Sequence, residues 1–166
     1  MSETRTQYSN NHVVLSSHKP FAQAVKDLQA ELGKASTEVL MTKLSSSKTF
    51  EEFTEEIELL AGRSNLIEVG FLNWGKVMSR AEISMKAQLF VIGNPLTARK
   101  LLEAGGPEVG LYLPTKIFVF EDSDGQTQIS YDEIAPALAH LGNPKVDAVA
   151  AAIDRILAKL ASSAAT

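Results

Sequence analysis

The chain has 166 residues, 45% apolar and 22% charged, with a net charge of −4 at pH 7 and no cysteine. That is enough for one sizeable core and far from the composition of a disordered chain. The missing thiols exclude disulfides, thiolate nucleophiles and sulfur-ligated zinc, scattered basic residues argue against a nucleic-acid partner, and no apolar run approaches the ~20 residues of a membrane span.

The polar stretch from Met1 to Asn11 has no hydrophobic signal region. The expected organisation is a disordered tail over 1–11, a single α+β domain over 12–161 and a frayed end over 162–166, in a soluble cytoplasmic protein. His12-Val13-Val14-Leu15-Ser16 is a β-branched run that predicts a first strand. Pro20 suits the first turn of a helix, Phe21, Val25, Leu28 and Leu32 follow at helical spacing, and Gly33 stands at the stop position. Residues 34 to 48 leave two readings open: Val39-Leu40-Met41 and Leu44 fit a short strand or a helical turn, with Ser45-Ser46-Ser47 as a loop. Thr49-Phe50-Glu51-Glu52 is a capping box, after which Phe50, Phe53, Ile57 and Leu60 mark one buried face and Gly62 an end. The glutamates at 51, 52, 55, 56 and 58 gather toward the start of that helix, where its dipole favours them, and read as a solvated face.

Leu66 to Leu72 predicts a strand, and Asn73-Trp74-Gly75-Lys76 a turn bearing the only tryptophan. Ile83 to Ile92 predicts a further strand with Met85, Ala87, Leu89 and Val91 on one face, and its end is expected to be buried on both sides. Asn94 is a good N-cap and Pro95 an ideal first helical residue; Leu96, Ala98, Leu101 and Leu102 supply the buried face, and Gly105-Gly106-Pro107 the end. Val109, Leu111 and Leu113 alternate with Gly110 and Tyr112 and predict a strand, which Pro114 interrupts and Lys116 to Glu121 continue. Asp122-Ser123-Asp124-Gly125 is a hairpin turn, and Gln126 to Tyr131 the returning strand. Ser130 or Asp132 is the expected cap of a short helix holding Ile134, Leu138 and Leu141. Asn143-Pro144 opens a last helix whose Val146, Val149, Ile153, Ile156, Leu157 and Leu160 share one stripe. That stripe needs a partner, either this core or a second subunit.

Phe90-Val91-Ile92-Gly93-Asn94-Pro95-Leu96-Thr97-Ala98, followed by Gly110-Leu111-Tyr112-Leu113-Pro114 and a hairpin with an acidic turn, resembles the family called domain of unknown function 302. The likeness is good over residues 86–135 and looser over 12–33. Residues 34–65, with an inserted helix, and the helix after Asn143 read as additions of its longer members to the compact form. The resemblance implies an α+β fold, an antiparallel sheet packed against helices in a TATA-binding-protein-like β-α-β(4)-α arrangement, and commonly a homodimer. It brings no activity. Many compact members carry cysteines where this chain has Gly93 and Thr115, and longer ones an Asn-His-Gly where it has Asn73-Trp74-Gly75.

The favoured reading is a homodimeric protein that binds or senses a small molecule, haem or a metabolite, in a cleft near Asn94, Trp74 and Tyr112. Gly93-Asn94-Pro95 exposes backbone amides at a helix start, although one glycine falls short of a phosphate loop. Trp74 and Lys76, with Glu68 and Lys86 on neighbouring strands, are the expected polar and aromatic lining. A second reading is an enzyme using carboxylate or lysine acid–base chemistry through Glu68, Lys76 or Lys86. A third is an interaction module that docks through the C-terminal helix. No cofactor, metal, nucleic acid or membrane is expected as a partner. Asp122-x-Asp124-Gly125 looks like a piece of a calcium loop, but that register sets Phe120 and Tyr131 where carboxylates are required. His12, His18 and His140 lack metal-ligand spacing, and no Ser-His-Asp set or nucleophile elbow is present.

Overall fold

The computed structural model describes residues 2–166. In chain order the strands are β1 (His12–Ser17), β2 (Gly33–Lys34), β3 (Ile67–Asn73), β4 (Ala87–Gly93), β5 (Thr115–Glu121) and β6 (Thr127–Asp132). They form one sheet in the order β1-β6-β5-β4-β3-β2, antiparallel throughout except where β2 lies parallel to β3. The helices are α1 (Phe21–Glu31), α2 (Thr37–Ser46), α3 (Phe50–Leu60), α4 (Trp74–Met78), α5 (Pro95–Gly105), α6 (Ala135–Leu138) and α7 (Pro144–Ala165). This is the α+β arrangement implied by the sequence, with the sheet packed against helices. Among the described residues no helix is long and apolar enough to cross a membrane.

One face of the sheet is covered. Phe21, Ala24 and Leu28 of α1, with Ala150, Ile153 and Leu157 of α7, pack on Phe90, Ile92, Ile117, Val119 and Ile129. The stripe on α7 therefore finds its partner inside this core. It is not a free docking surface, and the interaction-module reading loses its basis. The helix also continues to Ala165 where fraying was expected from Ser162. Ala161, Ala164 and Ala165 are buried, and the Ser17 hydroxyl donates to the Ala165 carbonyl at 2.7 Å. A smaller cluster of Ala35, Phe53, Ile57 and Ile67 anchors α3.

Several elements differ from expectation for identifiable reasons. Within the open segment 34–48, Thr37–Ser46 is helical, taking in Ser45 and Ser46 that read as loop, because the Ser36 side chain accepts from the Val39 amide and caps α2. Asn73 does the same for the Lys76 amide, at 2.9 Å, so the turn at Trp74 is the helix α4. It continues into a 3-10 turn at Ser79–Ala81, and β4 starts only at Ala87, leaving Ile83 and Met85 outside the strand and exposed. On β4 Leu89 and Val91 share a face as expected, but burial is unequal on the two sides: Phe90 and Ile92 meet the helices and are fully buried, while Leu89 and Val91 are only half-buried on the other. Pro107–Tyr112 is a 3-10 helix and not a strand. Its three-residue period brings Val109 and Tyr112 to one side and leaves Leu111 87% exposed.

Two glycines read as helix stops have a different task. A Cβ on Gly33 would lie 1.8 Å from the Leu60 carbonyl oxygen, and one on Gly62 would lie 2.3 Å from the Gly33 nitrogen. The backbones after α1 and α3 touch there, which only glycine permits. The cap of α6 comes from neither Ser130 nor Asp132, both of which lie in β6. Asp154 of α7 supplies it, accepting from the amides of Ile134 at 2.8 Å and Ala135 at 2.9 Å.

Candidate functional site

Asn94 ends β4 and opens α5. Its Oδ1 accepts from the Leu96 amide at 2.8 Å, and its Nδ2 donates to Asn65, at 2.9 Å to the carbonyl and 3.2 Å to the side-chain oxygen. Asn65 itself sits at φ 61, a left-handed conformation that asparagine tolerates. These bonds hold the chain turned at the sheet's end, and beside them opens a pocket of about 380 Å³. Ile92, Leu66 and Leu157 form its floor, and Leu102, Leu113 and Ile156 stand nearer its mouth, with Leu40 of α2 at one side. Its polar atoms are largely consumed: Thr115 donates from Oγ1 to the Ile92 carbonyl at 3.1 Å, and Asn94 is 4% exposed. Gly93 and Thr115, the positions where the family resemblance places thiols in compact members, both line this pocket.

A second, more polar cleft of about 550 Å³ lies over the sheet face that α1 and α7 leave open. Leu89, Phe118, Lys116 and Ser130 supply sheet residues to it, and Trp74 and Tyr112 line it as well. The N-terminal segment takes part, since the Tyr8 ring stacks on His140 with centroids 5.5 Å apart and meets Tyr112 edge-on at 6.1 Å. Burial, and after it the Tyr8 hydroxyl, raises the Tyr112 hydroxyl above its ordinary pKa. His12 pairs with Asp132 at 2.7 Å on the same rim.

The single cleft expected near Asn94, Trp74 and Tyr112 is thus two, with Pro114 and Thr115 common to both linings. Lys76 is exposed and lines neither. Glu68 is buried, with 7% of its surface exposed, and faces Lys34 at 4.0 Å. Lys86 donates to Glu121 at 2.7 Å. Glu68 pairs with Ile92 across the sheet while Lys86 precedes the opposite end of β4, roughly 20 Å away at ~3.4 Å per residue. The acid–base set therefore does not converge. Among the described residues no group of three metal-ligating side chains comes together. Asp122, the calcium-like residue, spends its oxygens on the amides of Asp124 and Gln126 and on the Gln128 side chain, whose bond does most to hold its carboxyl below the usual range.

Sequence reasoning missed the contribution of α7 to the Asn94 pocket. The available signal was Ile156 between Arg155 and Lys159, an apolar position flanked by like charges one turn apart.

The sequence matches the family described as "Domain of unknown function DUF302" over residues 41–164. That span takes in α3 and α7 and leaves β1 and α1 outside. The fold is similar to the crystal structure of an uncharacterized conserved protein DUF302 from Bacillus stearothermophilus, with a TM-score of 0.65 and 15% identity over 92% of this chain and 97% of that one. At that identity the likeness speaks for the fold alone. Among curated proteins none matches the chain.

Proposed function

The chain belongs to the DUF302 family, whose description assigns no activity, and we propose that it is a small-molecule-binding protein whose ligand occupies the pocket beside Asn94. The observation that carries this reading is a concavity of ligand size, about 380 Å³, walled by apolar side chains from the sheet, α5, Leu113 and α7. Its shape is held from outside by the Asn94–Asn65 bonds, so the pocket is organised without a ligand. A metabolite fits this lining better than haem, because among the described residues no histidine, methionine or tyrosine stands on the wall to ligate iron. Thermal denaturation against a panel of small apolar metabolites is the test. A binder at 100 times its Kd adds about 2.7 kcal/mol of stability. Ala98→Phe, which fills the pocket from α5, removes that gain; an equal gain in the filled variant rejects the site.

A second observation favours pairing of two copies. Val14, Ser130, Phe118, Leu89 and Leu72 form one row across five neighbouring strands of the open face. Val14 and Leu72 remain 49% and 45% exposed. A row that is apolar except at the buried Ser130 suits a self-complementary contact, with Trp74 at its rim as an anchor. Sedimentation equilibrium reads it directly, and a monomer at all concentrations rejects it.

A further inference from the structure

A third concavity adjoins the Asn94 pocket on the outer side of α7. It is lined by Arg155 and Lys159 of that helix, by Arg63 and Asn65 of the loop before β3, and by Glu31. Ile156 belongs to both linings, and Asn65 of the one is hydrogen-bonded to Asn94 of the other. Arg63 is occupied by Glu31 at 2.8 Å, whereas Arg155 and Lys159 enter no ion pair among the described residues and are exposed. Two like charges at i and i+4 weaken a helix unless an anion lies between them, and these two stand about 6 Å apart along the axis.

We propose that the Asn94 pocket and the Arg155–Lys159 cleft are one amphipathic site, which takes a single medium-length acyl chain with its free carboxylate on the two cations. The proposal rests on the binding function just given and names its ligand class. The chain lies against Ile92, Leu102, Leu113 and Leu157, crosses Ile156, and ends where Arg155 and Lys159 offer charge-assisted hydrogen bonds to the carboxylate.

The test is a calorimetric titration at low salt with octanoate, decanoate and decanol, below their micelle concentrations. Affinity for the carboxylates rises about fourfold per added methylene until the pocket is full. Arg155→Gln with Lys159→Gln, both at exposed positions, lowers decanoate affinity about five- to tenfold and leaves decanol unchanged. Ala98→Phe abolishes both. Decanoate binding that ignores the double variant overturns the carboxylate site while leaving the apolar pocket standing. Binding that survives Ala98→Phe but disappears in Trp74→Ala moves the ligand to the other cleft and overturns both. Failure of all three probes to bind overturns the acyl-chain site and leaves the pocket to the metabolite panel. Cosedimentation with phosphatidylglycerol vesicles that needs the two cations but is indifferent to Ala98→Phe assigns the charges to a bilayer and overturns the free-ligand site.

Discussion

Along β4 and β5 successive side chains alternate between two environments. Phe90, Ile92, Ile117 and Val119 meet α1 and α7 and are wholly buried, whereas Leu89, Val91, Phe118 and Phe120 lie half-buried on the opposite face. The two sets are equally apolar, so hydrophobicity alone does not separate them. What separates them is that the chain folds two of its own helices onto one side. That side stores the stability of the fold, and at its edge the sheet, α5 and α7 leave the Asn94 pocket between them. The other side keeps apolar side chains that the chain's own helices α1 and α7 do not cover, among them Val14 and Leu72, which are about half exposed.

Truncations on the two faces break or sharpen this contrast most directly. Phe90→Ala removes a fully buried ring and is expected to cost about 3–5 kcal/mol in urea denaturation. Phe118→Ala, on the open face, is expected to cost about 1 kcal/mol in the isolated chain. Equal costs for the two would mean that the open face is as well packed as the covered one. Next in size is Gly33→Ala, at about 3 kcal/mol, because the new methyl group meets the Leu60 carbonyl and neither backbone can retreat. A glycine serving only as a left-handed helix stop would cost about 1 kcal/mol in the same exchange.

Local signals explain which parts of this were legible in the sequence. Asn94-Pro95, Asn143-Pro144, Thr49 with Glu52, and Gly125 each act within a few residues of themselves, and all serve as caps or turns as expected. Glu52 differs only in reaching the Lys48 amide, at 2.7 Å, in place of the Thr49 amide. What depended on distant partners was not legible. The face of β4 was ambiguous because its run is apolar at every position, and the touching glycines 33 and 62 carry no local mark of each other. Asp154 caps a helix from another element, which spacing cannot announce. The candidate site followed the same rule: Asn94 was found through its cap, while Arg155 and Lys159 reach the pocket's edge only through the placement of α7.

Asp154 gives the next effect down, on the covered side. Burial raises its pKa above the ordinary 3.8, offset in part by the amides of Ile134 and Ala135 and reinforced by the charge of Glu133. A carboxyl with a raised folded-state pKa holds its proton more tightly in the native state. Its contribution is therefore greatest below 3.8 and is lost as the pH rises through the raised value. Asp154→Asn removes this slope. The stability of the wild type relative to Asp154→Asn should fall with rising pH over that window, and a difference that is flat or grows rejects the assignment. Asp154→Ala leaves two amides without their acceptor and is expected to cost about 2 kcal/mol.

The smallest stability effect belongs to the open face and bears most on the proposed pairing. Val14→Lys exchanges an exposed side chain on an edge strand, so unfolding of the isolated chain should move by no more than about 0.5 kcal/mol. In a symmetric pair built on the row from Val14 to Leu72, the same change buries an ammonium against apolar side chains of the other copy. Sedimentation equilibrium should then show at least a tenfold weaker dimer, a 1.4 kcal/mol change. The paired measurement separates two ways of being wrong. A large loss of stability without a change in association means that Val14 belongs to the intramolecular packing, and no change in either places the contact between copies elsewhere.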